Sequence, residues 1–133
     1  MGLAPDGWPE RGRTGMARLA LGMGVPVIPV SQWGAHEVLQ YGNDWGKLRT
    51  VVRALVRRPA LQVHVGPPVV LNDLQMGRVG DANRARYRIA AAITRGLVAL
   101  RAGEAGRPHF VDPTRPTTAV AAYPGGVVPD DVP

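Results

Sequence analysis

Three histidines, a single serine and a large excess of arginine over lysine are the residues of this chain whose types could do chemistry. His36, His64 and His109 are widely dispersed, and no His-x-x-x-His pair, which would set two imidazoles on one helix face, is present. The absence of cysteine excludes thiolate metal ligands, disulfides and cysteine nucleophiles. Ser31 lies outside any G-x-S-x-G turn, the arrangement that exposes a nucleophilic hydroxyl. There is no G-x-x-x-x-G-K-[ST] phosphate loop, and Gly22-Met23-Gly24 follows a helical pattern instead of joining a strand to a helix. Charge remains. Lys plus Arg number 16 against 10 Asp plus Glu, a net +6, and Lys47 is the only lysine. A guanidinium can hold two phosphate oxygens at once where an ammonium acts as a point charge. An Arg-rich, Lys-poor composition is also what high-GC coding produces, so only the placement of the arginines carries function.

The elements that must position these groups follow from periodicity. Thr14 is placed to cap a short helix in which Met16, Leu19, Ala20 and Met23 recur at i, i+3, i+4 and i+7, with Arg18 off that apolar face. Gly22 and Gly24 stop it. In GVPVIPVSQWGAHEVL, residues 24–39, the run Val25 to Val30 is apolar on both faces, which predicts a parallel strand covered on both sides. Pro26 and Pro29 are tolerated only where ladder pairing lapses. Trp33 is expected to pack against the sheet, while His36 and Glu37 fall in the exit loop, with His36 structural or solvent-facing. Asn43 to Gly46 reads as a turn. Leu48, Val51, Val52 and Leu55 then keep helical spacing, with Arg49, Arg53 and Arg57 on another face and Pro59 as the stop.

Leu61 to Val65 is a second strand, with Leu61, Val63 and Val65 on one side and Gln62 and His64 on a wetter one. Asp81 is placed to cap a long helix, Ala82 to Arg101, buried along Ala85, Ile89, Ile93, Leu97 and Leu100 and solvated at Arg84, Arg88 and Arg95. Beyond Gly103, proline and glycine recur without a period, and residues 104–133 are expected to be a disordered tail. No apolar run approaches the roughly 20 residues of a membrane span, and the first residues lack a signal-peptide core, so a cytoplasmic setting is expected.

The stretch WPERGRTGMARLALGMGVPVIPVSQWGAHEVL, Trp8 to Leu39, resembles the 1-acylglycerol-3-phosphate acyltransferase family, in which a segment of the form RGKTGAARLAL leads into VPVIPV and then WGAQEVL. The likeness is nearly gapless there and extends more loosely through Leu61 to Leu74. It implies an α/β fold, a partial αβ sandwich of the glycerolipid acyltransferase type, with residues 1–103 as the C-terminal part of the acyltransferase domain. It also implies phospholipid biosynthesis: transfer of an acyl group from acyl-CoA or acyl carrier protein, as co-substrate, to a lysophospholipid hydroxyl. The implied location is peripheral, on the cytoplasmic face of the inner membrane, with no cofactor or metal.

The family's general base is a His in an H-x-x-x-x-D motif, because a hydroxyl becomes a competent nucleophile only when a positioned base takes its proton. Five residues beyond His36, His64 and His109 stand Tyr41, Val69 and Thr114, so that motif is missing from this chain. The family's E-G-T block, which helps hold the glycerol phosphate, is missing as well, and its aligned place falls just before Met1. The expectation is a miscalled start or a truncated remnant, inactive as it stands. Arg13 matches the Lys of RGKTG, and with Arg11 it precedes the Thr14 helix, where a cation and a helix N-terminus together favour a phosphate. Arg11 and Arg13 are therefore the candidate substrate-binding residues. Arg53, Arg57 and Arg58 could instead rest on anionic lipid. The rival reading is a non-catalytic basic module for anionic membrane lipid or nucleic acid. Aromatic rings for base stacking are few and scattered, so no nucleic-acid partner is expected.

Overall fold

The computed structural model describes residues 4–34, 61–102 and 118–133. Over these the chain is mixed α/β, with two helices and a two-stranded antiparallel sheet. The order is α1 (Gly15–Met23), β1 (Val30–Trp33), β2 (Gln62–Val65), α2 (Asp81–Arg101) and a 3₁₀ turn at Pro124–Gly126. His36, Glu37, the Asn43 to Gly46 turn, the arginine-bearing helix expected over Leu48 to Arg58, and His109 lie outside the described residues.

The long helix forms where its stripe predicts. Ala85, Ile89 and Leu97 are buried, and Ile93 packs between two of the core clusters. Burial extends around the helix, because Ala90, Ala91, Thr94 and Gly96 are covered too. Asp81 does not cap it. The N-cap is Gly80, whereas Asp81 is the first helical residue and fully buried, accepting hydrogen bonds from the Gln75 amide (2.9 Å) and Arg84 Nη1 (3.2 Å). Its carboxylate thus ties the preceding loop to the first turn.

The first helix forms as expected but presents another face. Gly24, in the left-handed region at φ 62°, closes α1 by donating its N–H to the Ala20 carbonyl. The residues turned inward are Ala17, Ala20 and Leu21, of which Ala17 and Leu21 join Leu74, Ala85 and Ile89. Of the expected core stripe Ala20 is buried, whereas Met16, Leu19 and Met23 are exposed. Alanine lets the α1 backbone approach α2 closely; the bulkier side chains remain outside.

The strand expected over Val25 to Val30 is displaced. Pairing begins at Val30, and β1 runs antiparallel to β2 with Val30 opposite Val65 and Ser31 opposite His64. Upstream, only the isolated Val27–Val69 bridge persists. Pro29 lies opposite Gly66 just before β1, where its carbonyl accepts from the Gly66 amide (2.9 Å) and its missing N–H leaves the pair with one bond in place of two. The sheet is neither parallel nor covered on both faces among the described residues. Ser31, Trp33 and His64 turn toward α2, while Val30, Val63 and Val65 stay more than half exposed. The side of β2 carrying His64 is therefore the less wet one, opposite to expectation.

The disordered tail needs correction over 118–133. Glu10 and Ala121 form an antiparallel bridge, flanked by bonds from the Arg11 amide to the Val120 carbonyl (3.1 Å) and from the Ala122 amide to the Pro9 carbonyl (2.8 Å). Tyr123 is buried against Ala90 and Ala91, and its hydroxyl donates to the Tyr87 carbonyl at 3.2 Å. Burial pushes that phenol's pKa up from its ordinary value. Proline and glycine here shape a segment that lies on the core instead of excluding it from one. Among the described residues no helix is long and apolar enough to cross a membrane.

Candidate functional site

The loop 11–14 hangs between two anchors. Behind it, the Glu10–Ala121 bridge holds the chain against the C-terminal segment; ahead of it, the Arg18 amide donates to the Thr14 carbonyl (2.8 Å) in the opening turn of α1. From α2, Arg86 Nη1 donates to the Gly12 carbonyl at 3.2 Å, so the peptide between the two candidate arginines is fixed from the protein side. Arg11 and Arg13 themselves are exposed, and neither pairs with a described carboxylate. The Thr14 hydroxyl makes no cap bond, and the first turn of α1 contains no acidic residue. The N–H groups of that turn and their partial positive charge are thus left without an internal anion.

Arg86 is the residue that sequence reasoning missed. Its Nε is buried without a hydrogen-bond partner among the described residues, and its guanidinium lies 4.6 Å from the Tyr87 ring centroid. It adds a third cation to the loop. The only signal in the sequence is its offset from the solvated arginines of α2, too weak to assign a partner 74 residues away.

The other sequence candidates fall elsewhere. Ser31 is buried at 3% exposure, and its hydroxyl donates to the Ile93 carbonyl (2.8 Å), which commits it to strand-to-helix packing. Gly96 makes that approach possible: a Cβ there would stand 2.5 Å from Ser31 Oγ and 2.9 Å from His64 Cδ2. His64 lines a cleft of about 420 Å³ between β2, α2 and the C-terminal segment, together with Arg88, Arg95 and Asp130. Arg95 donates to the Pro129 carbonyl (3.2 Å) and Arg88 to the Pro133 carbonyl (3.1 Å), so the cations on this rim fasten the tail. Trp33 does pack, in a stack that periodicity does not reveal: the Arg101 guanidinium lies 4.1 Å from the Trp8 ring and 4.2 Å from the Trp33 ring. Among the described residues no three His, Asp or Glu side chains converge as a metal site.

The arrangement around Arg11 and Arg13 presents cations and free helix N–H groups to an anion. No family model, curated protein or solved structure matches the chain.

Proposed function

We propose that this chain is the phosphate-binding, C-terminal part of a glycerolipid acyltransferase-type domain, and that it holds the phosphate of a lysophospholipid acceptor between Arg11, Arg13 and the N-terminus of α1. The observation that carries the reading is the pair of exposed arginines, neither paired with a carboxylate among the described residues, that flank a peptide fixed by Arg86 directly ahead of a helix start with no acidic residue. The likeness of residues 8–39 to the acyltransferase segment supports the choice of a phosphorylated lipid over other anions. The base and orienting carboxylate of acyl transfer are not in this sequence, so the chain as it stands binds the acceptor without acylating it.

The test compares a short-chain lysophosphatidate with the matching monoacylglycerol by calorimetric titration. Arg13→Ala is expected to weaken the phosphorylated ligand by roughly 1.5 to 3 kcal/mol, the scale of a hydrogen bond to a charged group. Arg13→Lys should recover part of that, since the charge survives and the bidentate geometry does not. A variant that loses neither ligand, or both equally, removes Arg13 from the site.

A further inference from the structure

Three of the four residues that the sequence assigns to the core stripe of α1 lie on the surface. Met16, Leu19 and Met23, at i, i+3 and i+7, are 46%, 61% and 66% exposed, and Val25 continues the patch at 45%. Met76 adjoins it, its sulfur 3.9 Å from where a Cβ on Gly22 would sit, and it is itself half exposed. Three large, flexible apolar side chains in register on one helix are more than the scattered exposure that ordinary surfaces carry.

What surrounds the stripe selects its partner. Arg11, Arg13 and Arg18 are all exposed on or just ahead of the same nine-residue helix, and no Asp or Glu occurs between Glu10 and Glu37. A groove for an apolar protein segment does not need a cationic border. An anionic lipid surface does: Met and Leu side chains enter the boundary between headgroups and acyl chains, and the arginines beside them stay at headgroup level. At about 1.5 Å per residue α1 is far too short to cross a bilayer and suited to lying in its plane.

We propose that the outer face of α1 is a membrane-docking surface, with Met16, Leu19 and Met23 inserting into an anionic bilayer and Arg11, Arg13 and Arg18 contacting its phosphates. The face shares Arg11 and Arg13 with the proposed phosphate site and to that extent rests on that reading. The experiment therefore omits lysolipid and leaves Arg13 in place.

The chain has no cysteine, so Leu19→Cys accepts a single environment-sensitive fluorophore, with Val127→Cys, 75% exposed in the C-terminal segment, as reference. Vesicles of mixed phosphatidylglycerol and phosphatidylcholine should shift the Leu19 label to the blue and leave the Val127 label unchanged. Pure phosphatidylcholine should give little response, and salt should reverse the anionic one. In co-sedimentation of the unlabelled chain, the double variant Leu19→Asp, Met23→Asp should lower partitioning by roughly tenfold or more while its circular dichroism stays that of the parent. Equal responses from both labels, or undiminished sedimentation of the double variant, overturns the proposal. So does a Leu19 response produced by raising protein concentration without lipid, which assigns the stripe to a second copy of the chain. Vesicle docking that survives alongside failed lysophosphatidate binding refutes the phosphate site alone.

Discussion

The two helices carry equally plain apolar stripes in sequence, and the structure buries one and exposes the large side chains of the other. Along α2, 21 residues long, the sheet, α1 and the C-terminal segment all pack, and Ala85, Ile89 and Leu97 go inside as their spacing predicts. On α1, nine residues long, the same periodic argument is right for Ala20 and wrong for Met16, Leu19 and Met23, and the inner face consists of Ala17, Ala20 and Leu21. A six-turn helix averages its pattern over many contacts, whereas a helix of under three turns has one contact patch, and the fit of that patch decides. Where two helices approach closely, small residues win the inner positions even when larger apolar ones stand a few residues away.

The largest test of this contrast is a pair of truncations. Ile89→Ala, at a side chain only 1% exposed, should destabilise by about 2 to 5 kcal/mol through lost burial and the cavity left behind. Leu19→Ala, equally apolar in sequence but 61% exposed, should stay within about ±0.5 kcal/mol. Denaturant melts of the two variants decide it, and a comparable loss at Leu19 would mean that α1 buries its outer stripe after all.

A smaller effect sharpens the account of close approach. Gly96 lies against Ser31 and His64 with no room for a Cβ, so Gly96→Val should cost about 1 to 3 kcal/mol by overpacking, although valine is the better helix former. Thermal melts of Gly96→Val and of Gly15→Ala on α1, where a Cβ meets nothing within 4 Å, should therefore move in opposite directions.

The smallest expected effect is electrostatic. The Arg88 guanidinium bonds both Asp73 oxygens, at 2.5 and 2.7 Å, and holds that carboxyl below its ordinary value. A lowered folded-state pKa stabilises at pH values above the unfolded pKa, and the contribution disappears as pH falls through the folded value. Asp73→Asn should thus be slightly less stable than the parent near neutrality and converge with it below about pH 4. The Asp73 side chain is 57% exposed, so salt should shrink even the neutral difference. A gap between the two melting curves that persists in acid would show that the carboxamide harms the 70–73 loop by packing instead.

Much of the candidate site was legible. The Arg11, Gly12, Arg13 run ahead of a helix start at Thr14 can be read from residue types alone, because capping and helix-stop preferences are local, and Gly24 closes α1 as its lack of a Cβ allows. Arg86 was not legible, since its bond to the Gly12 carbonyl joins elements far apart in the chain. The Trp8, Arg101 and Trp33 stack escaped for the same reason. The segment 118–133 misled in the opposite sense. Its Pro and Gly content has the composition of a solvated tail, yet Tyr123 is buried against Ala90 and Ala91 of α2, and Ala121 against Trp8 and Leu97.

By itself, then, the sequence determined the extent of α1 and, to within one residue, that of α2, that Leu61 to Val65 contains a strand, and where cations gather ahead of α1. Each of these depends on residues within a few positions of one another, whose spacing and backbone preferences act before any tertiary contact forms. Only the tertiary structure decided which face of α1 is buried, that β1 starts at Val30 and meets β2 antiparallel, and that the C-terminal segment lies on α2. Those outcomes turn on how closely surfaces distant in the chain can pack, and close packing is set by the smallest side chains, Ala17, Ala20 and Gly96, which periodicity weighs least.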